Sequence, residues 1–94
     1  GVVTTEITRM KVLEAVLAER ERQDKKWGDQ TDNTDEHWTV ILTEELGEVA
    51  REVFEGRSAG MFEEIIQCAA VSFAWAEAYL NRLPKNSGVP LDED

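Results

Sequence analysis

Glu45 and Glu48 stand three residues apart, and Glu64 and Gln67 repeat that spacing nineteen residues further along the chain. On a helix, a step of three leaves two side chains about 60° apart around the axis, so each pair can aim oxygen atoms at one point. Oxygen ligands converging from two helices suit a hard divalent cation such as Mg²⁺, with Mn²⁺ as a substitute.

The same residues also fit a plainer reading. Glu44, Glu45, Glu48, Glu52 and Glu55 can form a solvated acidic edge with Arg51 and Arg57 as partners. Glu63 and Glu64 can sit in a first helical turn simply because acids are favoured there by the helix dipole. The apolar pattern favours the first reading. At about 100° per residue Glu45 lies about 60° from Leu42 and about 40° from Val49, inside the apolar stripe. The face of Glu64 and Gln67 continues into Val71, Ala74 and Ala78. An ionised carboxylate in such surroundings is costly, and a second one beside it adds to the cost, unless a cation meets both.

Other chemistries lack their residues. His37 is the single histidine and no Glu-x-x-His pair exists, which argues against a di-iron carboxylate bundle. No cysteine cluster for zinc, no phosphate-cradling glycine loop and no Ser/His/Asp set is present. His37 reads as a local helix-end residue.

Three helices are expected to position the carboxylates. Ile7, Met10, Leu13, Val16 and Leu17 mark an amphipathic helix from about Thr5 to Lys25. A loop of about nine residues follows between Lys26 and Thr34. Asn33 with Glu36 reads as a capping box for a second helix, whose stripe is Trp38, Leu42, Leu46, Val49 and Val53 and whose end is Gly56. Ser58 reads as the cap of a third helix, which Pro84 stops. Residues 1–83 form one all-α domain in this reading, and 84–94 a flexible tail. From Cys68 to Ala78 only Ser72 and Glu77 are polar, so apolar residues wrap the third helix and must be covered on all sides. Two helices can hardly enclose it. A second subunit is therefore expected to complete a four-helix or larger bundle, the alternative being a central helix in a monomer.

Composition agrees with a small globular protein. The chain has 94 residues, 41% hydrophobic and 32% charged, with a net charge of −10 that opposes nucleic-acid binding and would leave a polyphosphate in need of a metal to screen it. No membrane partner is expected. The lone Cys68, among Ile66, Ala69 and Ala70, reads as a buried thiol and fits a reducing cytoplasm. Val2 and Val3 run at once into Thr4, Thr5 and Glu6, unlike a signal peptide.

The segment Glu44-Glu45-Leu46-Gly47-Glu48-Val49, followed after a turn by Glu63-Glu64-Ile65-Ile66-Gln67, resembles the MazG-type all-α nucleotide pyrophosphohydrolases over most of residues 20 to 80. The resemblance implies an ExxE on one helix and an ExxD on the next, together binding Mg²⁺. Here the first is Glu45 to Glu48, and Gln67 stands in the Asp place. It also implies a homodimer or homotetramer that hydrolyses a nucleoside triphosphate to monophosphate and pyrophosphate, in keeping with nucleotide-pool housecleaning. Glu45, Glu48 and Glu64, assisted by Gln67, would hold the metal, and Glu44 or Glu63 would serve as general base. The basic run Arg20, Arg22, Lys25, Lys26 ahead of Trp27 can meet polyphosphate oxygens or simply cap a helix C-terminus. Trp27 can stack on a base or anchor the loop to the core, while Trp38 and Trp75 read as packing. Specificity would rest on residues such as Trp27, Gln30 and Asn81. The alternative is a non-catalytic metal- or nucleotide-binding module, or a helical interaction module, of the same fold.

Overall fold

A computed structural model describes the backbone of residues 2–84 and the side chains of residues 4–84. Apart from Pro84, the expected tail lies outside the described residues. The chain forms α1 (Val2–Trp27), α2 (Asp35–Phe54) and α3 (Met61–Arg82), with no strand among the described residues. None of these helices is long and apolar enough to cross a membrane.

The helix ends follow local chemistry and correct three sequence-based expectations. α1 runs on to Trp27, two residues past its expected end, with Lys25 and Lys26 in its last turn. Gly28, at φ +72°, then breaks the helix while its N–H still reaches the Asp24 carbonyl at 2.9 Å. The cap of α2 is Thr34, not Asn33: its hydroxyl accepts the His37 N–H at 3.1 Å. With the cap one residue later, Glu36 falls at the second helical position and cannot close a capping box, whose partner belongs at the third. Ser58 does not cap α3 with its side chain either. Gly60 holds that place, and Ser58 contributes only its carbonyl to the Met61 N–H.

Gly56 ends α2 as expected. At φ +71° it donates to the Val53 carbonyl while Arg57 N–H reaches back to Glu52, the paired bonds of a Schellman motif. α3 stops at Leu83, whose extended backbone is the one favoured before Pro84.

α3 is the middle element. It packs against α1 on one flank and α2 on the other, and no Cα of α1 comes within 8 Å of α2. Val16, Ile66 and Ala70 form the contact with α1. Trp38, Val71 and Ala78, ringed by Ile41, Leu42, Ala74 and Trp75, form the contact with α2. Polar ties fix both flanks. The Arg20 guanidinium donates twice to Glu77, at 2.8 and 3.2 Å. Asp35 accepts the Trp75 indole N–H and an Arg82 N–H, each at 3.0 Å. These partners, Trp75 first, hold the Asp35 carboxyl below its usual range. Trp38 and Trp75 thus both serve packing. The expected stripe of α2 is only partly covered, because Leu46 and Val53 remain 59% and 49% exposed.

Because α1 and α2 stand apart, the face of α3 between them is the floor of a trough. That trough is where the carboxylates meet.

Thr34→Ala removes the one side-chain cap of α2 and should cost about 1 kcal/mol. Gly56→Ala meets no atom within 4 Å, so its cost is the positive φ alone, again about 1 kcal/mol. Urea denaturation at fixed protein concentration measures both.

Candidate functional site

One carboxylate oxygen from each of Glu45, Glu48 and Glu64 lies within 4.8 Å of the others. Glu45 and Glu48 project from adjacent turns of α2, and Glu64 from the first turn of α3. Gln67, one turn along α3, brings its amide to 3.2 Å from Oε2 of both Glu45 and Glu64. The packing of Trp38 on Val71 sets the two helices side by side and so joins the two three-residue pairs.

Two other acids of α2, Glu52 and Glu55, pair with a cation instead. Glu52 takes the Arg57 guanidinium at 2.7 Å, and Glu55 takes its other arm. Neither Glu45, Glu48 nor Glu64 forms an ion pair with a described residue. Arg57 thus accounts for Glu52 and Glu55, while Glu45, Glu48 and Glu64 converge on one another.

The electrostatics follow from this crowding. Burial, then the charges of Glu48, Glu19 and Glu44, push the Glu45 carboxyl above its usual range, with Arg22 pulling the other way. Burial and then the hydrogen bond and charge of Glu48 push Glu64 up as well. The half-buried Cys68 thiol is raised by burial and by the charges of Glu45, Glu64 and Glu48. A hard cation with oxygens at 2.0–2.6 Å spans about 4–5 Å between opposite ligands. This donor set falls within that span. Gln67 fits it in one amide orientation, with its oxygen toward the carboxylates. In the other, its NH₂ donates to both of them.

Beside this cluster a cleft of about 580 Å³ runs between α1 and α2. Glu44, Glu45, Glu48 and Gln67 line one part of it, and Arg22, Lys26, Trp27 and Gln30 another. Trp27 is 58% exposed, so it forms a wall of the cleft instead of anchoring the loop in the core. Lys26 rests over its ring at 4.8 Å. His37 lies in the first turn of α2, near the helix start as expected, and also lines the cleft.

Three expected site residues lie elsewhere. Lys25 is exposed on another face of α1, about 100° from Lys26. Glu63, one residue from Glu64, is carried around α3 to an adjoining groove with Phe62 and Ile66, which shares Glu19, Arg22 and Gln67 with the cleft. Asn81 is exposed near the end of α3, fourteen residues and hence about 21 Å of helix from Gln67.

Glu19 and Gln23 belong to the cleft without having been singled out for it, beside Arg22 of the expected basic run. Their signal was present as a polar run at positions 19, 22, 23 and 26, one helical face leading to Trp27. Arg22 is held by Glu19 through two bonds of 2.8 and 2.5 Å, which lowers the Glu19 carboxyl and raises the guanidinium. It is the guanidinium whose charge reaches Glu45.

No protein-family model, no curated protein and no solved structure matches this chain.

The raised carboxyls predict a pH dependence. Glu45 and Glu64 retain protons in the folded chain above the ordinary value of 4.5 at which the unfolded chain releases them. Their contribution to stability is thus present at low pH and lost as pH rises through the raised values. In EDTA, Tm should fall between pH 5 and pH 7. Glu48→Gln, which removes a charge acting on both groups, should flatten that fall and raise Tm at pH 7.

Proposed function

We propose that the chain is a Mg²⁺-dependent nucleoside triphosphate pyrophosphohydrolase that acts as a homodimer or homotetramer, by analogy with the MazG-type enzymes it resembles. The observation that carries this reading is the convergence of Glu45, Glu48, Glu64 and Gln67 on one point beside a cleft of nucleotide size.

Glu45, Glu48 and Glu64 would hold the ion through carboxylate oxygens, and Gln67 through its amide oxygen. When bound, Mg²⁺ would supply charge neutralisation to the phosphate oxygens and to an attacking water. Glu44 lines the cleft itself next to Glu45 and is the better placed of the two candidate bases, Glu63 lining only the adjoining groove. Arg22 and Lys26 give the cleft cationic groups for phosphate oxygens that lie away from the ion. For Arg22 this requires exchange of Glu19 for phosphate, which the exposure of its side chain allows. Trp27 offers an open ring face for a base, with Gln30 and His37 within the same cleft as hydrogen-bonding groups. Charge decides the division of labour. A polyphosphate entering an acidic chain needs both the cation at the carboxylates and the basic face of α1.

A second reading, a binding module without turnover, is favoured by one observation. The Gln67 amide can close the cluster without any ion by donating to Glu45 and Glu64. Calorimetry with a non-hydrolysable nucleotide, read beside pyrophosphate release, separates the two, since a binding module binds without turnover. Gln67→Glu adds a charged ligand and should tighten Mg²⁺ binding about tenfold by calorimetry, whereas a purely structural cluster shows no Mg²⁺ heat in either protein.

Purified protein with Mg²⁺ and a panel of nucleoside triphosphates should release pyrophosphate, and Glu48→Gln should bring release to background. Equal release by variant and wild type would falsify the assignment.

A further inference from the structure

The space for a ligand does not end at the carboxylate cluster. A second groove of about 430 Å³ continues from the cleft and shares Glu19, Arg22 and Gln67 with it. Ala15 and Ala18 of α1 and Phe62, Glu63 and Ile66 of α3 complete its walls. Trp27 and Ala15 mark the two ends of the joined space, twelve residues apart and hence about 18 Å along α1. A nucleoside triphosphate with its base on Trp27 and its phosphates at the cluster and Arg22 would use only the first half.

The side chains of the second half select what can follow. Arg22, at the junction, is the one cation among the described residues that line it. Past the junction stands Glu63, exposed and without an ion pair to a described residue. A free terminal phosphate carried that far would meet a like charge. An aromatic ring would meet apolar surface instead. Phe62 is 55% exposed, Ile66 is buried beneath it as floor, and the small side chains of Ala15 and Ala18 leave room along the α1 wall.

Trp27, at the other end, is 58% exposed. The joined space thus runs from an open aromatic ring, past oxygen ligands and a guanidinium, to a second open aromatic ring. A ligand built in the same order has a base at each end and phosphates between. Stacking on an aromatic side chain accepts any base, because every base has a π-face. Esterification of both terminal phosphates also lowers the ligand's charge, which favours its entry into a chain of net charge −10.

We propose that the preferred ligand is a dinucleoside polyphosphate, with one base on Trp27, the bridging phosphates at the cluster and Arg22, and the second nucleoside in the groove of Phe62. Its binding stands on the shape and charge of the joined grooves, while its cleavage rests on the hydrolytic reading above. In that step the oxygen of water bonds to the phosphorus that carries the first nucleoside, and Glu44 takes a proton. The anhydride P–O bond on the far side breaks, and its electron pair leaves on the phosphates of the second nucleoside. A dinucleoside triphosphate and water become one nucleoside monophosphate and one nucleoside diphosphate.

Calorimetry in Mg²⁺ with methylene-bridged analogues, which resist cleavage, reads binding alone. The dinucleoside triphosphate analogue should bind about tenfold more tightly than the matched nucleoside triphosphate analogue. Phe62→Ala should bring that ratio to about one. Ala18→Leu, which fills the groove from the α1 wall, should do the same, and circular dichroism checks that both variants are folded. With the cleavable dinucleoside triphosphate, chromatography should show mono- and diphosphate in equal amounts. Equal affinities for the two analogues in the wild-type chain, as a groove closed by a second copy would give, overturn the proposal even if nucleoside triphosphates release pyrophosphate. A preference that survives in both folded variants overturns it too. A preference that depends on Phe62, with no cleavage of either ligand, upholds the two-ring ligand and overturns the hydrolytic reading instead.

Discussion

Negative charges held at close range set the terms for the rest of this fold. Three carboxylates whose oxygens lie within 4.8 Å of one another repel by about 1–3 kcal/mol per ionised pair, after allowance for solvent screening. Two of them, Glu45 and Glu48, belong to one helix and can be separated only by rotating side chains. The third, Glu64, could leave if α3 slid away from α2. What prevents this is the apolar contact of Trp38 with Val71 and Ala78, reinforced by Asp35 receiving Trp75 and Arg82. Burying one large aromatic side chain contributes about 2–3 kcal/mol, comparable with the repulsion it holds in check. The cluster survives by being placed beside the strongest packing in the chain.

The same helix serves two surfaces. Gln67 lies at roughly 180° from the centre of the exposed apolar stripe that Ile65, Phe73 and Leu80 form on α3, at about 100° per residue, so the wall of the cleft and the stripe look in opposite directions. Flanking contacts with α1 and α2 occupy the two sides between them. A four-way division of this kind explains why α3 is apolar almost all round. Its charged side chains are confined to its two ends and to Glu77, which meets Arg20. A partner on the stripe would therefore leave the cleft open to solvent, and the residues for association and for chemistry would be separable by mutation.

The architecture was largely legible because it rests on periodicity. Stripe spacing placed three helices, Gly56 and Pro84 marked two ends, and the position of Glu45 between Leu42 and Val49 identified an acid that cannot simply face water. The caps were less legible because the candidates lie close together and are chemically equivalent. Asn33 and Thr34 can each cap a helix, and a single residue decides which hydroxyl or amide meets the free N–H groups. The coverage of Leu46 and Val53 was misjudged for another reason. A stripe states that a face is apolar, not whether a neighbour in the same chain reaches it. The places of Glu19 and Gln23 were hidden because they depend on how α1 packs on α3, with Val16 at Ala70 and Arg20 at Glu77. No local pattern encodes that packing.

Gln67 joins these themes. A carboxylate at its position would add a fourth negative charge to the cluster and would increase the attraction for a cation. In the cation-free chain the same charge would have to be borne by the packing of α2 on α3. An amide divides the two demands. With its NH₂ toward Glu45 and Glu64 it donates to both and eases their repulsion. With its oxygen inward it becomes a neutral ligand. The chain thereby holds a cluster that is less costly when empty and less attractive to metal than four carboxylates would be. For a small domain with a limited core, that exchange favours a fold that persists without its ion. Rotation of that one amide would be enough to turn it from a donor to the two carboxylates into an oxygen facing them.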